Sequence, residues 1–593
     1  MAKLNVWWMT LLPALLALAV YAPVAGYPFV NYDDPFYFYS NPHVVGGPTA
    51  ENLRWAFEIH GPSMWIPLTW MSHQVMAGLF GTDPGPQHVF NLILHAANAM
   101  LLGVWLRRST GRAGLALGIA AVFAVHPIHV ESVAWVTERK DVLALFFCLL
   151  ALLFHERRCR SGGWGSYVGM FVCHALAVMA KPLAVTLPCA MLLWECWPLV
   201  GRLRVRAVLE KVPLLAVSAV GSWLTILCQQ SAGAIGSAAD FPFILRLQNA
   251  AVAYATYLKR LVLPDDLSVF YPYPETLPLA VWLPSLIVLL VISAAAWKLR
   301  RTLPALAVGW LWFLGTLLPM IGLVQAGAAA MADRYAYFSF IGLYVAVAWS
   351  LDAWLKRQPE LKPAVAGAVG AMVIGLAVAG RWQVSFWQDS TALMRRAIEV
   401  TEGNYLAHNN LGLALEERGD TAAARAAYGE SLAVRPDHTQ ALSNLGALEA
   451  KQGNLMAALD LLEAAVAADV DHAAAWHNLG KARLQGGDID GSREAFRKAI
   501  DIAPDFGMPR YDLAVLEMGR RHWDEAVTLL ADLVALAPDH ADAWVNLGFV
   551  ELKRGNLEAA ERAFVRAVGL GSELGRLNLE RLRAERGSSP AEE

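Results

Sequence analysis

The sequence predicts an all-α protein in two parts, a polytopic membrane helix bundle followed by an α-solenoid of short repeats. Three observations carry that reading. Only 17% of the 593 residues are charged, against roughly 25% in an ordinary soluble domain, so part of the chain is suited to lipid. The charge is also divided: residues 1–382 hold 26 Lys and Arg against 18 Asp and Glu, a net +8, whereas 383–593 hold 22 against 33, a net −11, which together give the −3 of the whole chain. Finally, a period of 34 residues runs through the second part. A basic, apolar part joined to an acidic, soluble one excludes a single globular fold, and neither is basic enough for a nucleic-acid binder. All six cysteines (Cys148, Cys159, Cys173, Cys189, Cys196 and Cys228) lie in the first part with no CxxC spacing. They read as small apolar packers, and no disulfide framework or zinc site is expected of them, while divalent-metal dependence stays open.

Residues 1–382 form the expected membrane domain. Eleven apolar stretches approach the ~20 residues needed to cross lipid. They are 5–25, 85–106, 113–130, 141–155, 165–180, 182–200, 213–229, 278–297, 303–324, 335–355 and 363–380. The first reads as an uncleaved anchor, because Pro23 and the aromatic flanks do not suit a signal-peptide site at Val24-Ala25-Gly26. With the N-terminus cytoplasmic, five alternate loops gather the basic residues: Arg107, Arg108, Arg112; Arg157, Arg158, Arg160; Arg202, Arg204, Arg206, Lys211; Lys298, Arg300, Arg301; and Lys356, Arg357, Lys362. That is the positive-inside pattern. It sets a large outer loop, 27–84, and everything after Arg381 on the extracytoplasmic side, which is the periplasmic face if the membrane is a bacterial inner membrane. Segment 243–263 is apolar but carries Arg246, Lys259 and Arg260. Counted as a span it would invert every later loop, so it reads as an interfacial or re-entrant helix.

The second part opens with a junction and capping helix, 383–404, and continues as five repeats over 405–571. Leu411-Gly412, Leu445-Gly446, Leu479-Gly480, Leu513-Ala514 and Leu547-Gly548 follow one another at 34 residues, the period of the tetratricopeptide helix–turn–helix repeat. Gly419, Gly453, Gly487 and Gly555 mark the turns, and Pro436, Pro504 and Pro538 the ends of second helices. Each hairpin buries its apolar face only by stacking on the next. A C-terminal capping helix and disordered tail are expected over 572–593. Asn410, Asn444, Asn478, Asp512 and Asn546 precede the paired positions, on the helix that lines the inner surface of such a solenoid. Asparagine both donates and accepts, so the four asparagines are candidates for holding an extended acceptor protein, although asparagine before Leu-Gly is also simply common in this repeat type.

The chemistry concentrates in the membrane domain. Asn31-Tyr32-Asp33-Asp34-Pro35 follows the first span. Adjacent side chains diverge, so one aspartate can face a reaction while the other braces the loop; a polar turn before Pro35 is the competing reading. His88, Asn91, His95 and Asn98, spaced 3, 4 and 3, share one helix face, where they either line a polar cavity or are satisfied buried groups. His126, His129 and Glu131, then Glu138-Arg139-Lys140-Asp141, Lys181-Pro182 and Asp333-Arg334-Tyr335, all fall at the outer level. Local pairs such as Glu138 with Arg139 or Asp333 with Arg334 explain single cases, but their shared level calls for an anion. Arg139 and Arg334 are the leading phosphate contacts, since arginine offers two parallel donors, with Lys140 and Lys181 behind them. Transfer from a lipid phosphate to a hydroxyl needs one base and positive charge on the departing phosphate, with no general acid.

In order along the chain, Asn31-Tyr32-Asp33-Asp34, Trp65-Ile66-Pro67-Leu68-Thr69, His88-Val89-Phe90-Asn91 with His95, Phe123-Ala124-Val125-His126-Pro127-Ile128-His129-Val130-Glu131, Arg139 and Asp333-Arg334-Tyr335 with Tyr337 resemble the transmembrane and tetratricopeptide-containing protein O-mannosyltransferases. The repeat tail after Trp387-Gln388-Asp389 resembles theirs as well. The resemblance implies a C-type glycosyltransferase fold, a polyprenyl-phosphate-linked sugar donor (mannose in the family) and an aspartate of the first outer loop, Asp33 before Asp34, as catalytic base. Two positions depart from the family pattern. Ile66 stands where arginine is usual, which bears on a donor contact, and Pro182 stands where glutamate is usual, which bears on the role of Lys181.

Two other functions compete with a glycosyltransferase. A membrane-anchored scaffold for envelope proteins would need one span rather than eleven. A ligase moving a preassembled lipid-linked glycan would suit a large outer loop carrying several arginines, which the sequence lacks.

Overall fold

A computed structural model describes residues 4–59, 64–231, 241–323 and 327–587. Among the described residues the regular structure is helical, with only an isolated bridge between Pro272 and Ala329. The chain divides into two compact units, 1–410 and 411–593.

In the first unit all eleven apolar stretches are helical. Six helices of the described residues have the length and composition to cross a membrane: Pro84–Thr110, Pro182–Leu199, Val205–Ser231, Leu279–Leu299, Asp333–Leu355 and Pro359–Ser385. A seventh is the pair Ala113–Val125 and Pro127–Ala134 taken together, bent by 56°. The bend has a local cause. Pro127 has no N–H to continue the ladder, and His126, in extended conformation, accepts the Ile128 N–H on its ring nitrogen instead. Leu11–Gly26, Trp164–Ala180 and Pro304–Met320 are apolar but shorter. The last of the eleven, Arg139–Ser161, is apolar in its middle and charged at both ends. These helices make the first unit an integral membrane domain. Helices Pro304–Leu317 and Ala336–Leu355 cross at Gly309 and Gly342, where a Cβ on either would strike the carbonyl oxygen of the other, the close approach that small residues permit between membrane helices.

Two connecting regions position the site. The outer loop has its own apolar core of Tyr37, Phe38, Val44, Ala56, Ile66, Trp70 and Ala77, which fixes short helices Pro35–Tyr39, Pro42–Val45 and Ala50–Trp55 against Pro67–Phe80. Segment 243–263 is built on one continuous helix, Phe243–Arg260. It is tied down by Tyr257 Oη donating to the Ala332 carbonyl at 2.7 Å and Tyr254 Oη to that of Leu314 at 2.6 Å, while Phe243, Ile244 and Leu247 stay exposed.

The second unit is a stack of helical hairpins. Thr439–Lys451 pairs with Leu455–Ala468, Ala473–Gln485 with Ile489–Ile502, Gly507–Gly519 with Trp523–Leu536, and Ala541–Lys553 with Leu557–Gly569, before the last helix, Glu573–Gly587. The tail expected after it, 588–593, lies outside the described residues. The repeated glycine after leucine is a packing requirement: a Cβ at Gly480 would lie 2.6 Å from the Phe496 ring, and one at Gly446 would lie 2.7 Å from Leu462. The turn glycines adopt φ near +80°. In the fourth repeat Arg521 takes that left-handed position, with φ 64°.

Candidate active site

The first outer loop separates the two aspartates. Asp34 is buried. Its Oδ2 accepts the Val30 N–H at 2.9 Å, and its Oδ1 accepts the Thr137 N–H at 3.1 Å and hydroxyl at 2.6 Å. Burial pushes its pKa up to about 6 although the three bonds favour the charged form. It therefore braces the loop against residues 136–138. Asp33 is only partly buried. Burial raises its pKa, opposed by the pull of Lys140 and Arg334.

Glu138 gathers the cations beside Asp33. Its Oε1 meets Lys140 Nζ at 3.0 Å and Arg334 Nε at 3.3 Å, and its Oε2 meets Lys181 Nζ at 3.2 Å. Burial raises this carboxyl, but the three cations outweigh burial and hold it well below the usual carboxylate range. Each cation also has a second partner. Lys181 reaches Asp141 at 2.5 Å. Arg334 pairs through its guanidinium and its backbone N–H with Glu131, and lies over the Trp135 ring at 5.5 Å. Lys140 sits 4.5 Å from the centre of the Tyr37 ring. Lys140, Arg334 and Glu138 thus act together on Asp33, and Lys181 and Glu131 join this network through Glu138 and Arg334.

Arg139, expected from sequence as a phosphate contact, does not join them. Successive residues on a helix are ~100° apart, so Arg139 turns away from its neighbours. Its guanidinium is fully buried and donates to Asn91 Oδ1, His73 Nδ1 and both the backbone and side-chain oxygens of Gln87, at 2.9–3.1 Å. The local pairs expected from sequence are also replaced: Glu138 does not bind Arg139, and Asp333 pairs with Arg260 at 2.9 Å rather than with Arg334. Asp333 accepts from Tyr271 Oη and Ser268 N–H as well, which fixes the segment around 268–271.

The polar helix face is buried and bonded to neighbouring elements, while His88 Nδ1 and Asn98 Oδ1 are buried without a hydrogen-bond partner among the described residues. Asn91 donates to the Trp135 carbonyl at 3.0 Å, and His88 meets that of Pro28 at 3.3 Å. His95 lies between Tyr337 Oη and the Ala124 carbonyl, at 2.8 and 3.1 Å. His126 meets the Leu261 carbonyl at 3.3 Å, and His129 meets Tyr344 Oη at 3.1 Å. Most of these partners are backbone carbonyls close to helix ends, where intrahelical partners run out.

In the solenoid the ladder positions are half-buried and stitch neighbouring repeats. Asn478 donates to Ser443 Oγ at 3.0 Å, Asn546 to Tyr511 Oη at 3.1 Å, and Asp512 pairs with His477 at 2.7 Å, each spanning 35 residues. Asn410 accepts from Asn409 at 3.1 Å, and Asn444 is engaged too. Two clusters of three metal-ligand types occur away from Asp33 in the described residues: Glu517, His522 and Glu525 in the repeats, and His155, Cys159 and Glu195 at the far end of helix Arg139–Ser161. In the second, Lys211 Nζ already occupies Glu195 Oε1 at 2.6 Å.

Comparison with known proteins adds a family to this geometry. The tetratricopeptide repeat model matches residues 380–438, 409–468, 443–505 and 511–573. The human protein O-mannosyl-transferase TMTC2 is 28% identical over 151 residues, 25% of this chain and 18% of that protein. Drosophila melanogaster protein O-mannosyl-transferase Tmtc1 is 31% identical over 180 residues, 29% of this chain and 21% of that protein. Mouse TMTC1, of the same name, is 33% identical over 143 residues, 22% and 15% of the respective chains. Over these stretches this chain is similar to the TMTC protein O-mannosyl-transferases. The match spans about a fifth of the length of these TMTC relatives. Among solved structures, MamA is 22% identical with TM-score 0.26, covering 27% of this chain and 94% of that one. A thermophilic tetratricopeptide protein of Thermus thermophilus is 19% identical with TM-score 0.26, covering 30% and 99%.

Sequence reasoning placed Glu138 and Asp141 at the outer level and Arg260 on segment 243–263 but gave none of them a part in building the site. A signal was present for the first two: Glu138 and Asp141 are three apart at a helix start, the spacing that puts both on one face and lets both reach Lys181.

Proposed function

We propose that this chain is a membrane glycosyltransferase that moves a sugar, mannose by likeness to the TMTC proteins, from a polyprenyl-phosphate donor to hydroxyl groups of extracytoplasmic proteins. The observation that carries the reading is the convergence of a partly buried Asp33 with Lys140 and Arg334 around Glu138. Asp33 takes the proton of the acceptor hydroxyl, and the hydroxyl oxygen attacks the anomeric carbon. The bond from that carbon to the phosphate oxygen breaks, its electron pair leaves with the polyprenyl phosphate, and configuration inverts. Arg334 and Lys140 hold the departing phosphate, where preorganised positive charge lowers the barrier without a proton donor. Arg139 acts behind them by fixing Asn91 and, through it, the backbone at Trp135. The site and the repeats lie on the extracytoplasmic face, periplasmic in a bacterial inner membrane, and the repeats recruit the acceptor protein. The test is transfer from a panel of polyprenyl-phosphate sugars to extracytoplasmic proteins by the purified chain, with mass spectrometry of the products. Transfer that Asp33→Asn abolishes supports the reading; a wild-type protein inert with every donor overturns it.

A further inference from the structure

The junction that the sequence reads only as a cap for the repeats lies against the loop that carries Asp33. Helix Ser390–Val400 begins at Asp389, whose side chain accepts the Ala392 N–H at 2.8 Å. The next residue, Ser390, accepts the backbone N–H of Asn31 on its Oγ at 2.8 Å, across 359 residues of sequence and two positions before Asp33. Just before the helix, buried Trp387 packs its ring 5.8 Å from that of Trp135, which in turn packs 5.3 Å from Tyr32 and lies under the Arg334 guanidinium. Further along, Arg396 donates to the Asp265 carbonyl and Asn404 to that of Phe270 at 3.2 Å, in the segment that Asp333 fixes from the other side. The junction therefore touches the base loop, the aromatic platform and the 265–270 segment together.

We infer that Ser390 and Trp387 are positioning residues of the transferase site: the junction holds the Asp33 loop and the Trp135–Arg334 stack in register, so the bundle's active site is completed by the segment leading into the repeats. The inference rests on the proposed function for its catalytic half and on these contacts for its structural half. Asp34 braces this loop as well, so removing the Ser390 hydroxyl from Asn31 takes away about the worth of one hydrogen bond, a five- to tenfold change in the loop's local equilibrium. An activity loss of the same order follows if the loop must be closed to react.

The experiment uses the full chain in nanodiscs. Amide exchange of peptides covering 27–40 is read by mass spectrometry, and transfer is read from the polyprenyl-phosphate sugar that the panel identifies. Ser390→Ala is expected to speed exchange in 27–40 five- to tenfold and to lower kcat similarly at unchanged donor KM. Ser390→Thr, which keeps the hydroxyl, is expected to restore both. Trp387→Phe, which keeps a ring, is expected to be milder than Trp387→Ala on the same two readouts. Unchanged exchange in Ser390→Ala overturns the inference, as does faster exchange with unchanged kcat. If no donor reacts, the proposed function fails, and the exchange result alone then decides whether the junction holds the loop.

Discussion

The two aspartates of the first outer loop can be told apart by paired substitutions, because the structure gives them different work. Asp33→Asn removes the charge of a partly buried side chain whose environment is set by burial, Lys140 and Arg334. Its expected signature is a fall in turnover of roughly 10²–10⁴, the usual loss for a positioned base, with the thermal midpoint nearly unchanged. Asp34→Asn is different. The carboxylate accepts from Val30 N–H on one oxygen and from two Thr137 donors on the other. An amide must turn its NH2 toward at least one of those donors, leaving a buried donor unpaired at about 1–3 kcal/mol. The penalty depends on pH with a definite sign. The folded pKa of Asp34 is raised to about 6 from an unfolded value near ~3.9, so its contribution to stability is fully present below about pH 4 and is lost as pH rises through about 6. Asparagine does not titrate, so the Asp34→Asn penalty should grow by about 2 kcal/mol between pH 7 and pH 4. Asp33, also raised, should put the acid limb of kcat/KM above the ordinary ~3.9. The assay is sugar transfer alongside intrinsic-fluorescence melting in detergent at several pH values. Full turnover in Asp33→Asn, or a silent Asp34→Asn melt together with abolished transfer, would refute the division of roles.

Four further outcomes follow from named contacts. Arg334→Lys cannot reach Glu131 and Glu138 together while stacking on Trp135, so initial rates against donor concentration should fall at least about tenfold, since lysine cannot copy the planar fork. Gly480→Ala drives a methyl against the Phe496 ring and should lower repeat stability by about 1–3 kcal/mol by melting. Arg521→Gly relieves a left-handed residue at φ 64° and should raise it by about 1 kcal/mol. Changing Asn444, Asn478 and Asn546 to Ala together should reduce transfer to protein acceptors but not to short peptides. Because Asn478 and Asn546 also bond neighbouring repeats, the midpoint should drop as well, and equal transfer to both acceptor types would leave these residues with that structural task alone.

The helices were legible because apolar runs and a 34-residue period are properties of consecutive residues. The partnerships were not legible, because buried charges pair with whatever the fold brings near: Lys181 with Glu138 across 43 residues, Arg260 with Asp333 across 73, and Arg334 with Glu131 across 203. The adjacent pairs suggested by sequence fail for a simple reason. Neighbours on a helix diverge, so Glu138 and Arg139 leave in different directions, one to the cation cluster and the other to Asn91 and Gln87. The histidines show what spacing leaves open. Their shared face was visible, but whether they lined space or met carbonyls depended on helix ends that the spacing does not encode.

The charge arrangement also bears on how the proposed reaction would begin. Burying Lys140, Lys181 and Arg334 without partners would be strongly unfavourable, and the fold answers with Glu131, Glu138 and Asp141. The cations are thus matched before any donor arrives, and Asp33 is a carboxylate in excess of that balance. A donor phosphate entering beside Arg334 and Lys140 competes with Glu138 for them and adds negative charge near Asp33. Nearby negative charge raises a carboxylate's affinity for a proton. On this proposal, donor binding itself strengthens the base that the acceptor hydroxyl must meet.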